Sequence, residues 1–299
     1  MYKRQLQVVF REQKAHPIRF VDNSNLQVSY SLSRITSTAG GGSSDQFFTN
    51  AAYDNDHPTQ FMGRSGLDRT NQVSFGGSLT FKYGPQVGFI GHFNSATPSN
   101  LALDTQLANG GIFQTDVTGD GTVGDIAPGT QPGYYMHHIK GNSLQSYINN
   151  FNATQARNLT PAGQAVANSG LISAAQLQQI GGAIQPIANL PQATGLNNPA
   201  FRSSDINLSY PVRFNRLREG LSIVPEIAFY NVGNFSNFTN PTSTLLNTTS
   251  TGGATNTNTG YITGANNFGV LSTERVIRGS GTFDQGAPRS TEFQLHINF

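Results

Sequence analysis

The chain ends on "RSTEFQLHINF", residues 289–299, in which apolar and polar residues alternate up to a last residue that is Phe. Phe293, Leu295, Ile297 and Phe299 fall on one side of an extended chain and polar residues on the other, because successive side chains of a strand point in opposite directions. This alternation predicts a strand with one wet and one apolar face. The end of a soluble domain is more often a frayed polar tail. The ending therefore indicates a strand whose apolar surface has a function.

Five further segments alternate in the same way and have similar lengths. Runs of about 9–11 residues match a tilted strand that crosses the hydrocarbon layer of a membrane, whereas ordinary strands average about 5–6. Aromatic residues also end the apolar rows, as in interfacial girdles. A seventh strand is indicated more weakly by "LQVVFRE" at residues 6–12. The five segments are "NLQVSYSLSR" (25–34), "NQVSFGGSLTFKYG" (71–84), "PQVGFIGHFNS" (85–95), "SSDINLSYPVRFN" (203–215) and "EGLSIVPEIAFYN" (219–231).

The connections between these segments are alternately short and long. A tight turn, "KYGPQ", and a short charged loop, "NRLREG", join two pairs of segments, whereas the others are joined by residues of about 35–70, 94–202 and 231–288. Outer-membrane barrels have short periplasmic turns and long extracellular loops. The sequence therefore predicts an all-β fold: about six antiparallel strands of a transmembrane outer-membrane β-barrel. A soluble β-sandwich also alternates, but it has no reason to sort its connections by length.

Composition excludes several kinds of chemistry. Only 11% of the residues are charged and the formal net charge is +2, so no basic cluster predicts a nucleic-acid partner. The chain has no Cys, which excludes disulfides, thiol catalysis and Cys-ligated zinc. No Ser, His and Asp residues stand in a spacing that predicts a catalytic triad, and we expect no enzymatic activity.

The long connection of residues 94–202 contains the helical patterns of the chain. An apolar stripe at helical spacing follows Ser143, Thr160 precedes Pro161, and Ser173 stands before a segment that ends at Gly181. Ser and Thr are favoured caps and Pro is favoured at the first helical position. We expect short helices here that pack into a subdomain of the extracellular loop. The stripe consists of Leu144, Tyr147, Ile148 and Phe151.

One stretch, "TDVTGDGTVGD" at residues 115–125, resembles an oxygen-ligand calcium loop. Asp116, Asp120 and Asp125 are the candidate metal ligands, and Gly121 stands where such a loop turns. The bidentate acid that completes these loops is missing, because Ala127 occupies its position. The preferred interpretation is a turn that caps itself through side-chain hydrogen bonds, with no cofactor required. Calcium is the alternative.

The chain also has features of a fragment. Six or seven strands are fewer than the about 8 of the smallest conventional bacterial barrel, and no stretch near the N-terminus has the length of a signal-peptide core. Residues 1–5, "MYKRQ", resemble the translation of transposase-adapter DNA, although a natural basic N-terminus is the alternative. We expect residues 1–5 to be non-native and residues 6–299 to be the C-terminal part of a longer barrel, with a signal peptide, a plug and further strands encoded upstream.

Four stretches taken in order resemble the C-terminal strands of TonB-dependent receptors, in particular an acidobacterial subgroup with a carboxypeptidase-regulatory-like domain. The resemblance implies an outer-membrane location, uptake of a large nutrient such as a siderophore or glycan, and a TonB contact made by an N-terminal region that this chain lacks. It also implies that Phe293, Leu295, Ile297 and Phe299 form a signal for the barrel-assembly machinery. A passive porin and, less favoured, a surface β-sandwich adhesin remain as alternatives. The stretches are "LDRTNQVSFGG", "DVTGDGTVGDIAPGT", "NLSYPVRF…LREGLSIVPEIAFYNVGNFSNF" and "GAPRSTEFQLHINF".

Overall fold

A computed structural model of the chain describes most of its residues. The described residues are 2–38, 52–103, 111–135, 137–187, 197–214, 216, 219–238, 240, 244–245 and 286–299.

Most of the strands form one antiparallel sheet. Seven long strands lie side by side in the order β1-β2-β4-β5-β7-β9-β11, and β3 and β8 extend it at β2 and β9. A parallel pair, β6 and β10, forms a second small sheet. The predicted antiparallel all-β architecture is confirmed, and the weakly indicated seventh strand is present as β1. The strands are β1 (Tyr2–Ile18), β2 (Val21–Ser37), β3 (Gly63–Arg64), β4 (Asn71–Phe81), β5 (Gln86–Asn94), β6 (Ala102–Leu103), β7 (Phe201–Ser209), β8 (Val212–Arg213), β9 (Ser222–Tyr230), β10 (Thr244–Leu245) and β11 (Ser290–Asn298).

The register of the sheet keeps apolar residues beside apolar residues from strand to strand. Phe293 of β11 is paired with Ile227 of β9, which is paired in turn with Leu208 of β7. Leu208 is also paired with Val87 of β5. Because side chains of directly paired residues lie on the same face, the predicted apolar rows form one continuous surface.

The first hairpin is longer than its apolar pattern. β1 and β2 each have 17 residues, whereas alternation marks only residues 6–12 and 25–34. Beyond these runs the strands continue through polar pairs such as Lys14 opposite Ser24. Backbone hydrogen bonding to a neighbouring strand can therefore extend a strand past the point where side-chain pattern predicts its end.

On the apolar face, glycines of β4 and β5 lie opposite phenylalanines of the neighbouring strand. Gly91 is paired with Phe75 and Gly77 with Phe89. A Cβ at position 91 would lie 2.3 Å from the end of the Phe75 ring, so the ring lies over the glycine. The space allows Phe75 to stack on Phe93 with ring centroids 6.0 Å apart. Aromatic cover of a strand glycine compensates for its missing side chain.

Among the described residues, four short helices lie in the connection between β6 and β7. Thr160 caps α3 by accepting a hydrogen bond from the Gly163 amide, with Pro161 at the first position, and Ser173 caps α4, both as predicted. The predicted cap of α2 is wrong by one turn, since the N-cap is Lys140 and Ser143 is the third helical residue. There the Ser143 hydroxyl accepts a hydrogen bond from the Lys140 amide, the reciprocal half of a capping box. The helices are α1 (Gly111–Gln114), α2 (Gly141–Thr154), α3 (Pro161–Asn168) and α4 (Ala174–Gln179).

The hydrophobic core of the described residues lies in the connections. Its buried cluster includes Leu144, Ile148 and Phe151 of the predicted helical stripe, with Tyr147 packed against it. Leu245 of β10 joins from a different connection. None of the seven long strands contributes to the cluster, so the long connections form a subdomain with its own core, as predicted.

Among the described residues, no helix has both the length and the apolar character needed to cross a membrane.

Candidate functional site

The apolar face of the sheet is open. Phe293, Leu295 and Ile297 of β11 are 77%, 63% and 55% exposed, and Leu6, Val8 and Phe10 of β1 are exposed to a similar degree. Monomeric soluble proteins rarely leave an apolar surface of this extent uncovered. This face is therefore built for contact with an apolar medium or partner.

The opposite face of β7, β9 and β11 carries a polar network with carboxylates. The Asn207 amide donates to Glu226 over 2.9 Å, and the Tyr230 hydroxyl donates to Glu292 over 3.0 Å. His296 lies 3.8 Å from Glu226. Polar residues paired across strands in this way suit a face that contacts water, and the two faces of the sheet therefore differ sharply in chemistry.

The predicted assembly residues lie where the alternation placed them. Phe293, Leu295 and Ile297 share the apolar face of β11, and Phe299 follows the last strand residue, Asn298. All four side chains are exposed. The structure brings them into one row, and their role as an assembly signal stays a prediction.

Two of the long connections are joined by a buried carboxylate that the sequence pattern did not single out. Asp68 is fully buried and forms an ion pair with Arg64. Its other oxygen accepts a hydrogen bond from the Ile35 amide at 2.8 Å, at the end of β2. His137, from the connection after β5, lies 3.9 Å from Asp68. We call Arg64, Asp68 and His137 the loop clasp.

Backbone contacts reinforce the loop clasp. The Arg64 amide donates to the Pro132 carbonyl over 2.9 Å. The next residue, Gly133, has a left-handed φ of 71°, and a Cβ atom at this position would lie 2.4 Å from the Cβ atom of Arg64. Only glycine suits both conditions. Burial and then the Arg64 charge lower the pKa of His137, with Asp68 opposing them. The loop clasp is only weakly indicated by the sequence, because no local sequence pattern connects residue 68 with residue 137.

The acidic loop of residues 115–125 folds back on itself, as the preferred interpretation predicted. Asp116 accepts hydrogen bonds from the Gly119 amide at 2.6 Å and the Gly121 amide at 3.0 Å. Asp125 accepts from the Thr118 amide at 2.9 Å and the Thr118 hydroxyl at 2.8 Å. These contacts satisfy carboxylate oxygens without an ion.

The same loop brings together the three candidate metal ligands. Oxygens of Asp116, Asp120 and Asp125 all lie within 4.8 Å of one another. Burial, opposed by Thr118 hydrogen bonds and assisted by the charges of Asp116 and Asp120, raises the pKa of Asp125 to about 6. The geometry is thus compatible with a cation and equally with three crowded carboxylates in a self-capped turn. The calcium assignment stays a prediction.

Comparison with known proteins adds little to this geometry. No family model matches the chain, and no curated protein matches it. Among solved structures, the chain is similar to the outer-membrane transporter YddB from Escherichia coli, with a TM-score of 0.42 and 10% identity. The similarity covers 99% of this chain and 25% of that transporter, so the chain spans about a quarter of its length. A likeness this weak carries no argument about function, which rests on the sheet and its loops.

Proposed function

We propose that the chain is part of an outer-membrane β-barrel of the TonB-dependent receptor class, which imports a large nutrient. The observation that carries the proposal is the antiparallel sheet with one exposed apolar face and one polar face. In a membrane, the apolar face would contact lipid and the polar face would line the interior.

Strand dimensions support the membrane assignment. The shortest of the long strands, such as β9, have 9 residues, and at about 3.3 Å per residue they extend to about 30 Å. That length matches a hydrocarbon layer of about 30 Å once tilt and flanking residues are included. The lengths of the connections support the proposed orientation in the membrane. At one end of the sheet, β1 is joined to β2 by only two residues. The subdomain core lies at the other end, in the long connections.

The edges of the sheet support a closed barrel with additional strands. Within the described residues, β1 pairs with β2 alone and β11 with β9 alone. Unpaired backbone groups facing lipid would cost several kcal/mol each. We therefore propose that both edges pair with strands outside the described residues when the protein is in its membrane.

The structure of the sheet argues against one of the two alternatives to a receptor, the sandwich adhesin, but not against the other, the passive porin. A sandwich adhesin needs a second sheet that covers the apolar face, and the only other sheet among the described residues is the two-stranded pair β6–β10. A passive porin would share every feature of the sheet. A receptor differs from a porin by having a plug and a contact with TonB. Both are part of our proposal, and neither is seen among the described residues.

The test uses the complete gene product expressed with its own export signal. We expect it in the outer-membrane fraction, as a species whose electrophoretic mobility changes on boiling, closed to ions in planar bilayers, and retained by the immobilised periplasmic domain of TonB. An open-channel conductance without retention by TonB would show that the protein is a porin and not a receptor. Solubility without detergent would overturn the membrane assignment altogether.

A further inference from the structure

The loop clasp joins two connections that lie far apart in sequence. Arg64 and Asp68 lie between β2 and β4, and His137 lies between β5 and β7. The Asp68 side chain has no exposed surface, and the side chains of Arg64 and His137 are 21% and 26% exposed. Water and salt therefore screen the interactions among these three groups only weakly.

The charge balance of the loop clasp depends on the protonation of His137. With a neutral imidazole, the Asp68 carboxylate has Arg64 as its cationic partner, and the two charges cancel. A proton on His137 would add a second cation, 3.9 Å from the same carboxylate oxygen that Arg64 contacts. The carboxylate would then face two cations, with Arg34 and His138 as further basic groups nearby. The arrangement is therefore matched to a neutral His137.

The surroundings of His137 determine the direction of its response to pH. Burial and then the charge of Arg64 lower the pKa of His137 below its ordinary value of 6.5. Asp68 opposes this change, and His138 and Arg34 assist it. A histidine whose pKa is lower in the closed clasp than in open loops stabilises the closed form above pH 6.5, and this stabilisation is lost as the pH falls below that value. Acid therefore favours separated connections.

A direct backbone contact couples this charge to the position of the second connection. The Arg64 amide donates to the Pro132 carbonyl over 2.9 Å. The next amide along that connection, of Gly133, donates to the side-chain oxygen of Asn100 over 2.8 Å. Arg64 thus supplies both the backbone donor that binds the second connection and the cation that a protonated His137 would repel. Repulsion between the side chains therefore acts on the contact that holds the two connections together.

We propose that the loop clasp is a latch released by acid, in which protonation of His137 separates the connection between β2 and β4 from the connection between β5 and β7. At neutral pH the uncharged imidazole leaves the pair of Arg64 and Asp68 balanced, and the two connections stay together. Below the ordinary range of histidine they move apart. The inference goes beyond the import function proposed above and requires no nutrient, since it applies to these loops in a receptor and in a porin alike.

The test measures the distance between two spin labels by pulsed electron paramagnetic resonance on the detergent-solubilised complete gene product. The labels are attached at Met62→Cys, two residues before Arg64, and at Ser146→Cys on the exposed side of α2. Residues 1–299 contain no other Cys, and any Cys encoded upstream is replaced by Ser. Asp125→Asn is included throughout, because the pKa of Asp125 is raised to about 6. The labels should be more than about 2 Å further apart at about pH 5.5 than at about pH 7.5.

Three variants identify the group that responds. His137→Gln keeps a polar side chain that does not take up a proton, so the label distance should stay short at both pH values. The matched control is His138→Gln, which changes the exposed neighbour whose ring lies 4.5 Å from that of Tyr134 and should leave the response to acid intact. Arg64→Gln should reduce the response, because a protonated His137 would then be the cation that pairs with Asp68.

Three results would overturn the inference: a label distance in the parent protein that does not change with pH, one that shortens in acid, or the same lengthening in His137→Gln. Each variant is first checked for heat-modifiability, and His137→Asn replaces His137→Gln if the latter does not assemble. A latch that fails in a correctly assembled barrel leaves the proposed function standing. A protein that does not enter the membrane counts against the proposed function instead.

Discussion

Phe299 leaves the sheet with 82% of its surface exposed, so it buries little apolar area that could stabilise the fold. Its identity should therefore matter for recognition during assembly. Deleting Phe299 from the complete gene product should lower the amount of heat-modifiable protein in the outer membrane and increase periplasmic degradation. The melting temperature of the molecules that do fold should hardly change.

Comparing yield with melting temperature separates the two roles of Phe299. Normal yield with a large drop in melting temperature would make it a structural residue. Phe299→Leu is the companion variant, because it keeps an apolar side chain and removes the ring.

Asp125 makes the acidic loop sensitive to pH. Burial raises its pKa from 3.8 to about 6, so the folded loop binds a proton more tightly than the unfolded loop does. Stability therefore falls as the pH rises from 3.8 to about 6, and the loss is complete above that range. Asp120 acts in a different window. Burial raises its pKa, but hydrogen bonds from Thr122, from the Asn55 amide and from Thr118 together lower that pKa below its usual value of 3.8.

We expect proteolysis of the loop to accelerate as the pH rises from 3.8 to about 6 in the parent protein and to change no further above that range. In Asp125→Asn it should not change over the same range. The amide oxygen of Asn can still accept the Thr118 hydrogen bonds, so the variant isolates the charge. A parallel pH profile in both proteins would assign the sensitivity to another group.

Calcium should give this loop no added resistance to protease, because Asp116 already accepts two backbone amides and Ala127 stands where the completing acid belongs. The measurement is proteolysis with calcium or with a chelator. A calcium-dependent gain that Asp116→Ala and Asp120→Ala both abolish would establish the metal site instead.

At the scale of the element, β11 offers a direct comparison of the two faces of the sheet. Leu295→Arg would place a charge in lipid and should cost about 2–4 kcal/mol if the residue is near the membrane midplane. Gln294→Arg should be mild, since Gln294 lies on the polar face opposite Glu226. Unfolding by urea from lipid vesicles measures both, and equal costs would contradict the assignment of the faces.

Strands and helices were predictable to different degrees for physical reasons. Alternation located β4, β5 and β9 closely, because a strand that supplies one apolar face of the sheet has apolar residues on that face along its whole length. It missed the polar ends of β1, where strand pairing alone maintains the structure. For α2, Ser143 resembled a cap, but a Ser at the third helical position forms the other half of the same motif, and local sequence does not separate the two.

At the scale of the molecule, the loop clasp should hold two connections together without supporting the sheet. Asp68→Ala removes the carboxylate from Arg64, whose side chain is only 21% exposed, and losing one partner of a buried pair costs about 3–5 kcal/mol. The partial exposure of Arg64 places the cost at the lower end. Limited proteolysis should cut the loops faster while heat-modifiability is unchanged.

The control for the loop clasp is Asp22→Ala, which removes the partner of His16 from a pair whose side chains are 78% and 43% exposed. Such an exposed pair contributes little, so loop proteolysis should not change. If Asp68→Ala instead prevented the barrel from forming, the clasp would be part of the sheet's own stability.

Contacts of this scale were the least predictable from sequence. The acidic loop could be recognised because its three Asp residues lie within eleven consecutive residues, 115–125. Asp68 and His137 come together only after the long connections have folded, and no local pattern encodes that approach. The class of fold was therefore accessible from residues alone, whereas the loop clasp was not.

The buried hydrophobic cluster of the described residues lies in the connections, and none of the seven long strands contributes to it. The chain therefore has two regions that tolerate sequence change differently. In the membrane proposed above, fluid acyl chains would fit any apolar outline, so a position such as Leu295 would be restricted in polarity but hardly in shape. Ile148 and Phe151, which are 0% and 1% exposed, must fit neighbours that do not flow. The surface of the sheet can thus drift in sequence while it keeps its character, and a new binding preference must arise within loops whose interior permits far fewer exchanges.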